Sequence, residues 1–559
     1  MNAPTILEKP LQPAHPADSP QSFLTPRIPR PTAILVAVFA GSTALMLFLN
    51  WHLRFDLSDD AYIHLRIAHN MLRTGHPYFN PGEPVMVTSS PLWTLLLVLN
   101  EFLFGARNTL WMWDAIFVGA AATAAYWLAW FQVVSRDTAY KVAALFLPIT
   151  VIACLSNSPP GMESPLAIAL LLLSVVAFLR SSPWALPLLT LAAFTRYELA
   201  VPLAVAGLLS LIARRALKSG AVPAAAIAGA FIAWLWKEFG TIFPNAIAAK
   251  SHVYALTTSD SFGGLLPHAL ILADYENALF LLVLVLLGLW VAAPLKRSEC
   301  REPVRVAALA LILWGISLFL LYVFARAFVF DWYKPLVWCP VLVGISLMIA
   351  IDRSIPRRVL ALFLLCTFFL SLYVYPVRAA RAALAKHPEG SPVFNESRRV
   401  HVYLAVGALL RDVCPQSQVM TSEIGALGYS FQGQISDGVG IASPEAIKYH
   451  PMAVPQQRSR RTLGAIPPQF VFDRKPDLIV TYDIYGQAVL ASPQIRADYF
   501  DLRFDPVLRN ESGANLPPVW GARTLHVLVK RNGGCPAAPL NQELSTILNP
   551  QTQLAASQQ

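Results

Sequence analysis

Long apolar runs separated by short polar segments dominate residues 32–376 of the chain. Most of these runs are about 17–25 residues long, the length that an α-helix needs to cross ~30 Å of hydrocarbon. The predicted spans lie at about 32–51, 110–132, 141–157, 164–180, 183–196, 198–213, 221–238, 277–294, 304–324, 335–351 and 358–376. The pattern therefore predicts a polytopic α-helical membrane protein with about eleven transmembrane helices.

One further apolar segment does not fit this series. The stretch "PLWTLLLVLNEFLFG" (91–105) is short and carries Glu101, and counting it as a span would reverse the orientation of every later helix. We therefore predict an interfacial helix that lies along the outer leaflet of the membrane.

The pattern changes near residue 377, because no later run is long enough to span a membrane. The segments "DLIVTYD" (477–483) and "LHVLVK" (525–530) have the length and residue types of short strands, whereas 397–411 has helical periodicity. These features predict a soluble α/β domain over residues 377–540.

Composition and charge support insertion into a membrane. Of the 559 residues, 55% are hydrophobic and 14% are charged, and the net charge is +10. Most Lys and Arg residues lie beside the apolar runs, where they orient helices, so the positive charge does not indicate a nucleic-acid partner. The positive-inside rule places the N-terminus in the cytoplasm and the C-terminal domain outside the inner (plasma) membrane.

The ends of the chain are polar. Residues 1–31 are predicted to form a disordered cytoplasmic tail without a cleavable signal peptide, and residues 541–559 are predicted to form a flexible C-terminal tail. Residues 32–376, between the N-terminal tail and the α/β domain, form the predicted transmembrane domain. It includes a long exported loop over residues 52–109, which is expected to be catalytic.

Two of the six cysteines, Cys414 and Cys535, lie in the predicted exported domain. An oxidising exterior permits a disulfide bond between them, and the alternative is a pair of free buried thiols. The other four lie in or beside predicted spans without the spacing of metal ligands, so the sequence predicts no metal site there.

Polar segments stand at the outer ends of several predicted spans. The stretch "SDDAYIHLR" (58–66) heads the exported loop, and by itself its carboxylate pair could simply cap an interfacial helix. The topology brings it to the same surface as "SPPGMES" (158–164), "FTRYE" (194–198), "KEFGTIFPNAIAAKSH" (237–252) and "FDWYK" (330–334). This convergence favours a functional site at the outer membrane surface.

The order of these motifs resembles that of one enzyme superfamily. The stretch "DDAYIHLRIAHNMLRTGHPYFNPGEPVMVTSSPLW" (59–93) is similar to the first exported loop of GT-C glycosyltransferases, particularly the arabinofuranosyltransferase branch. The likeness continues through "GMES" (161–164), "TRYE" (195–198), "PNAIAAK" (244–250) and "TSEIGALGY…ISDGVGI" (421–441). It covers most of the chain outside the N-terminal tail and the last ~30 residues.

The resemblance implies a GT-C fold and an inverting transfer of a sugar from a polyprenyl-phosphate donor in the membrane. The implied acceptor is a glycan of the cell envelope or an exported protein. No cofactor is implied as a requirement, and a divalent cation stays open. The arabinofuranosyl branch favours arabinofuranose. However, Tyr197 replaces the usual proline and Ala246 replaces a hydroxyl residue, so mannose or another hexose remains an alternative.

The implied reaction assigns roles to the charged residues. A carboxylate must take the proton of the acceptor hydroxyl, and we expect Asp59 to be this base, with Asp60 orienting hydroxyl groups, although the sequence does not separate the two. A cation must meet the departing phosphate, and the candidates are Lys250, Arg196 and Arg66. Lys250 could instead be a snorkelling lysine, and Arg196 could form an internal ion pair with Glu198.

The remaining candidates are contact residues. The residues expected to contact the sugar or the acceptor are Tyr62, Glu163, Glu198, Asn245 and His252. Glu163 could instead cap the helix that begins at Ser164, and His252 could be an ordinary interfacial histidine. Trp332 and Tyr333 are expected to line a groove for the lipid, although aromatic residues are common at any membrane interface.

Two other classes of protein compete with this interpretation. A transporter or flippase should hide ionisable residues near the midplane and show repeated halves, and the sequence has neither feature. A membrane scaffold would explain the exported domain but not the motifs of the loop. The sequence therefore favours the transferase.

Overall fold

The structure is a computed structural model that describes residues 32–53, 57–105, 109–133, 138–156, 158–200, 218–254, 302–351, 395–452, 466–505 and 524–548. The described residues before 352 are almost entirely helical. Their helices are α1 (Thr32–Leu53), α2 (Asp59–Thr74), α3 (Pro91–Phe104), α4 (Leu110–Val133), α5 (Thr138–Leu155), α6 (Ser164–Leu179), α7 (Ala185–Thr195), α8 (Lys218–Phe239), α9 (Asn245–Tyr254), α10 (Glu302–Phe324) and α11 (Lys334–Ile351).

Four of these helices contain segments that are long and apolar enough to cross a membrane, namely Thr32–Asn50, Leu110–Ala129, Gly220–Phe239 and Val304–Phe324. Helices α6, α7 and α11 are apolar but shorter. The structure therefore agrees with a helical membrane protein, whereas the number of eleven spans remains a prediction. The predicted spans 277–294 and 358–376 lie outside the described residues, as does most of 198–213.

Helix α2 begins and ends at residues suited to those positions. The hydroxyl of Ser58 accepts a hydrogen bond from the Ala61 amide at 3.3 Å, and Gly75 ends the helix in the left-handed region at φ 79°. Every residue from Ala61 to Ala68 is buried, so this helix has neighbours on all sides. The stretch predicted to be interfacial also forms a helix, α3, whose Phe102 side chain is 75% exposed at its apolar end.

The described residues after 394 form an α/β domain. Its helices are α12 (Asn395–Val413), α13 (Gly425–Phe431), α14 (Pro468–Arg474), α15 (Asp483–Ala491), α16 (Pro493–Asp498) and α17 (Ala537–Leu548). Its strands are β1 (Val419–Thr421), β2 (Ile435–Asp437), β3 (Leu478–Tyr482), β4 (Tyr499–Phe504) and β5 (Leu525–Lys530). The two strands and the helix predicted from the sequence are confirmed as β3, β5 and α12.

The five strands form one mixed sheet in the order β2-β1-β3-β5-β4. Strands β2, β1 and β3 are parallel, and β5 pairs antiparallel with β3 and β4. The central strand β3 is buried along its whole length, which explains its continuous apolar pattern. Helices cover the sheet, and the loops after the parallel strands β1 and β2 extend toward the rest of the molecule.

A disulfide bond joins Cys414, just after α12, to Cys535, just before α17. This is the pair that the sequence predicted. Helix α17 continues to Leu548, because Leu540, Leu544 and Leu548 are buried on one face of it. The prediction of a flexible tail from residue 541 is therefore wrong as far as 548, and residues 549–559 lie outside the described part of the chain.

Candidate functional site

The two adjacent carboxylates at the start of α2 have different surroundings. The Asp59 side chain is 8% exposed, and its two oxygens accept hydrogen bonds from the amides of Gly425 at 3.0 Å and Ala426 at 2.8 Å. Those amides belong to the first turn of α13 in the C-terminal domain. Burial raises the pKa of Asp59 above its ordinary value, and these hydrogen bonds offset part of that effect. Asp59 therefore links α2 to the C-terminal domain.

Asp60 faces the other way. Its side chain is 28% exposed, and its carboxylate lies 3.7 Å from the ammonium nitrogen of Lys250, which is 21% exposed. The same ammonium lies 4.6 Å from the centroid of the Phe330 ring. Asp60 and Lys250 thus form an ion pair that solvent can reach, supported on one side by an aromatic face.

Arg66, one of the three phosphate candidates, is 2% exposed and uses its guanidinium to hold backbone carbonyls. It donates to Phe79 O at 2.7 Å, to Gly428 O at 2.7 Å and to Gly433 O at 2.6 Å. The last two acceptors belong to the C-terminal domain. These contacts give Arg66 a docking role and leave no open face of its guanidinium for a phosphate.

Arg196, the second phosphate candidate, is also buried and already paired. It donates to the carboxylates of Glu163 and Glu198, and its guanidinium carbon lies 3.9 Å from the centroid of the Tyr333 ring. The hydroxyl of Tyr322 donates to Glu198 at 3.4 Å. The ion pair with Glu198, the alternative suggested by the sequence, is present, and Glu163 adds a second anion.

Glu163 precedes α6 but makes no side-chain capping bond to that helix. Its Oε2 atom is buried without a hydrogen-bond partner among the described residues. The carboxylate is 1% exposed, so contact with a soluble ligand would require movement of the surrounding side chains. The structure places Glu163 in a charge cluster with the buried Arg196 and with Glu198, whose side chain is 22% exposed.

Two aromatic residues after α10 each contact one of the cations of the site. Phe330 lies under the ammonium of Lys250, and Tyr333 lies under the guanidinium of Arg196. The two rings are in edge-to-face contact, with centroids 5.6 Å apart. Trp332 and Tyr333 are only 5% and 8% exposed. Both side chains therefore pack inside the protein, with Tyr333 under the guanidinium of Arg196, and a lipid groove at these two residues stays a prediction.

Asn245, expected to contact sugar or acceptor, instead binds the C-terminal domain. Its side-chain amide donates to Gly440 O at 2.6 Å and to Ile441 O at 2.8 Å. Asn245 is the first residue of α9, the helix that carries Lys250. His252 lies later on the same helix, is exposed, and contacts the carbonyl of Ala248 in its own helix.

Two further side chains on α2 are buried beside the site. Tyr62 is 2% exposed and packs against Tyr429 of the C-terminal domain, with ring centroids 5.4 Å apart. His64 lies 3.1 Å from the hydroxyl of Thr88, and burial lowers its pKa. Neither side chain is placed to contact a ligand that approaches from solvent.

Asn80 is a docking residue that the sequence analysis missed. Its side-chain amide donates to Ile435 O at 2.8 Å, and its oxygen accepts from the Ile435 amide at 3.2 Å, so it pairs with the edge strand β2. The motif "NPGE" that contains Asn80 was visible in the sequence, but it had been given no role of its own. Phe330 had also been given no role of its own, although it is the first residue of the motif "FDWYK" (330–334).

No cluster of three or more metal-ligating side chains occurs in the described part of the chain. A family described as "Domain of unknown function (DUF8728)" matches residues 393–519, which include most of the C-terminal domain. No curated protein matches the chain.

Proposed function

We propose that this protein is a membrane glycosyltransferase that passes a sugar from a polyprenyl phosphate to an acceptor hydroxyl. The proposal rests on the motifs that resemble GT-C enzymes and on the arrangement of their charged residues. The observation that carries it is the ion pair of Asp60 and Lys250, 3.7 Å apart and partly exposed. Four other charged residues of these motifs, Asp59, Arg66, Glu163 and Arg196, are buried and already bound by protein partners.

In this proposal Asp60 is the general base, although the sequence favoured Asp59. Asp60 accepts the proton as the acceptor oxygen forms its bond to the anomeric carbon of the sugar. The bond from that carbon to the phosphate oxygen breaks, and its electron pair leaves with the phosphate. Asp59 suits the role poorly, because the amides of Gly425 and Ala426 occupy both of its oxygens.

Lys250 is the group proposed to meet the donor phosphate. Its ammonium can rotate from Asp60 to an entering phosphate, which carries more negative charge than one carboxylate. Removing the ammonium from Asp60 would also strengthen the carboxylate as a proton acceptor, because a neighbouring positive charge favours its ionised form. Donor binding and activation of the base would then be coupled.

The fold, the orientation in the membrane and the acceptor are also proposals. The resemblance supports a GT-C arrangement with about eleven transmembrane spans and an acceptor that is an envelope glycan or an exported protein. The positive-inside rule supports a C-terminal domain on the outer face of the inner membrane. The arabinofuranosyl branch favours arabinofuranose as the sugar, with mannose or another hexose as the alternative.

The test is transfer by the purified, reconstituted protein from synthetic polyprenyl phosphates that carry arabinofuranose or mannose. We expect one donor to be consumed with inversion at the anomeric carbon, and Asp60→Asn to slow this consumption by about 10²–10⁴-fold. Comparing envelope glycans and exported glycoproteins between a deletion strain and its parent identifies the acceptor. A protein that consumes no sugar donor under any of these conditions would contradict the proposal.

A further inference from the structure

The C-terminal domain contacts both helices that carry the proposed catalytic pair, at the residue before Asp60 and at a residue five positions before Lys250. In one contact, the carboxylate of Asp59, the residue before Asp60, accepts hydrogen bonds from amides in the first turn of α13. In the other contact, the side-chain amide of Asn245, at the start of the helix that carries Lys250, donates to backbone carbonyls in the loop after β2. The same domain thus holds both sides of the 3.7 Å ion pair.

The contact at Asp59 is tight. A Cβ atom added to Gly425 would lie 1.8 Å from the backbone oxygen of Asp59, so only glycine allows this approach. Arg66 binds the carbonyl of Gly428, in the middle of α13, and that of Gly433, two residues after the helix ends. Helix α13 is therefore held against α2 at its first turn, at its middle and just beyond its last residue.

The contact at Asn245 depends on an ordered loop. Asp437, at the end of β2, accepts hydrogen bonds from the amides of Val439 and Ala442, both at 2.8 Å. These bonds shape the loop whose carbonyls, at Gly440 and Ile441, receive the amide of Asn245. The position of α9, and with it Lys250, is therefore coupled to the sheet of the C-terminal domain.

These contacts explain two motifs that the proposed chemistry does not use. The contact residue Gly425 lies in "TSEIGALGY", and Gly440 and Ile441 lie in "ISDGVGI". No side chain of either motif needs to touch a substrate for its position in the structure to matter. Both motifs lie within residues 393–519, which match the domain of unknown function.

We propose that this domain sets the spacing of Asp60 and Lys250, with Asp59, Gly425 and Asn245 as its positioning residues. It is then a structural part of the active site and not a separate binding module. The inference rests on the proposed function, because Asp60 and Lys250 are taken as the reacting pair. A misplacement of about 1 Å can cost about 10²-fold in rate, so a small shift of either helix would matter.

The test uses the full-length protein in membranes and two variants that weaken the two contacts separately, Asn245→Ala and Gly425→Ala. Each is combined with D60C/K250C and treated with a short bis-methanethiosulfonate reagent, and the cross-linked peptides are quantified by mass spectrometry. We expect the yield to fall severalfold in both variants. The matched controls are Ser251→Ala, which removes an exposed hydroxyl from the helix that carries Asn245, and Gly534→Ala, where an added Cβ meets no atom within 4 Å. Both should keep the full yield.

Turnover is measured in the same variants with Asp60 and Lys250 intact. We expect about a 10²-fold loss of turnover with little change in the donor concentration needed for half-maximal rate, because the pair is displaced and not removed. Formation of the Cys414–Cys535 disulfide checks that the domain has folded. Full cross-linking and full turnover in both contact variants would overturn the inference. If the wild-type protein transfers no sugar, the proposed function fails, while the cross-linking still decides whether the domain sets the spacing.

Discussion

The ammonium nitrogen of Lys250 lies 3.7 Å from the carboxylate of Asp60, although 190 residues separate them in the chain. One residue before Asp60, the carboxylate of Asp59 points to the amides of Gly425 and Ala426. Two adjacent aspartates therefore serve opposite sides of α2. One side faces the C-terminal domain, and the other faces the proposed reaction site.

This separation predicts different effects for the same substitution at the two positions. Asp60→Asn should lower turnover by about 10²–10⁴-fold while the protein stays folded, because the proposed base is lost. Asp59→Asn should chiefly weaken docking of the C-terminal domain, because the NH2 group that replaces one carboxylate oxygen cannot accept a hydrogen bond from a backbone amide. Transfer assays normalised to folded protein, together with limited proteolysis, measure the two effects. Loss of turnover in Asp59→Asn with unchanged proteolysis would return the base to Asp59.

The sequence indicated which polar segments meet, but not which side chain of each segment faces which partner. It grouped the segments at the ends of the helices, and in the structure Asp60 and Lys250 lie together. It could not separate Asp59 from Asp60, because their difference arises from contacts with residues 425 and 426, more than 360 positions away. A sequence pattern gives the face of a helix but not the identity of the partner on it.

The same limit explains the aromatic residues. Trp332 and Tyr333 were expected to line a groove for the lipid, although aromatic side chains are common at any membrane interface. In the structure they are buried, and Tyr333 lies under the guanidinium of Arg196. Strands β3 and β5 were predictable because a buried strand shows its own apolar run. No local pattern could indicate which charged group an aromatic ring would support.

A second prediction concerns the donor phosphate. Lys250→Ala should cost about 3 kcal/mol of transition-state stabilisation, seen mainly as lost turnover, because charge on the leaving group develops after the ground state. Lys250→Arg should restore only part of the rate, since a planar guanidinium does not replace a compact ammonium. Single-turnover transfer measures both variants. If arginine substitutes freely and alanine changes only insertion into the membrane, Lys250 is a snorkelling residue.

Arg196 should act on stability and not on binding of the phosphate. Arg196→Ala leaves the buried carboxylate of Glu163 and the partly exposed carboxylate of Glu198 without their counter-charge, so it should destabilise the protein by about 3–5 kcal/mol. Arg73→Ala, which removes an exposed arginine from α2, serves as the control and should change stability little. Thermal unfolding in detergent compares the two. A stable Arg196→Ala protein with weakened donor binding would make Arg196 the phosphate contact after all.

The disulfide bond should matter to the C-terminal domain alone. Replacing both cysteines, C414A/C535A, should lower the free energy of unfolding of this domain by about 2–4 kcal/mol, because the unfolded chain loses a restraint across a long loop. Denaturant titration followed by proteolysis of the domain gives the value. Ser545→Ala, on the exposed side of α17, is the control. An unchanged midpoint in C414A/C535A would show that packing of α12 and α17 suffices without the bond.

The last prediction follows from Asp437. Complete burial raises the pKa of this carboxyl from 3.8 to about 6, although it accepts amide hydrogen bonds. The folded domain therefore binds this proton more tightly than the unfolded chain does. The stabilising contribution of the group is complete below pH ~4, and it is lost progressively as the pH rises to about 6. The total loss should be about 3 kcal/mol, since each pKa unit corresponds to about 1.4 kcal/mol.

Asp437→Asn should remove this component of the pH dependence, because the replacement does not titrate. The measurement is the unfolding free energy of the C-terminal domain within the full chain at pH values between about 4 and 7. The difference between the wild-type protein and the variant isolates Asp437 from other groups that titrate in the same range, including Asp59, whose pKa is also raised by burial. Asp412→Asn, at an exposed position in the same domain, should leave the wild-type curve unchanged. Parallel curves for the wild-type protein and Asp437→Asn would show that the carboxyl of Asp437 is already ionised at low pH. Its two amide hydrogen bonds would then outweigh the cost of burial.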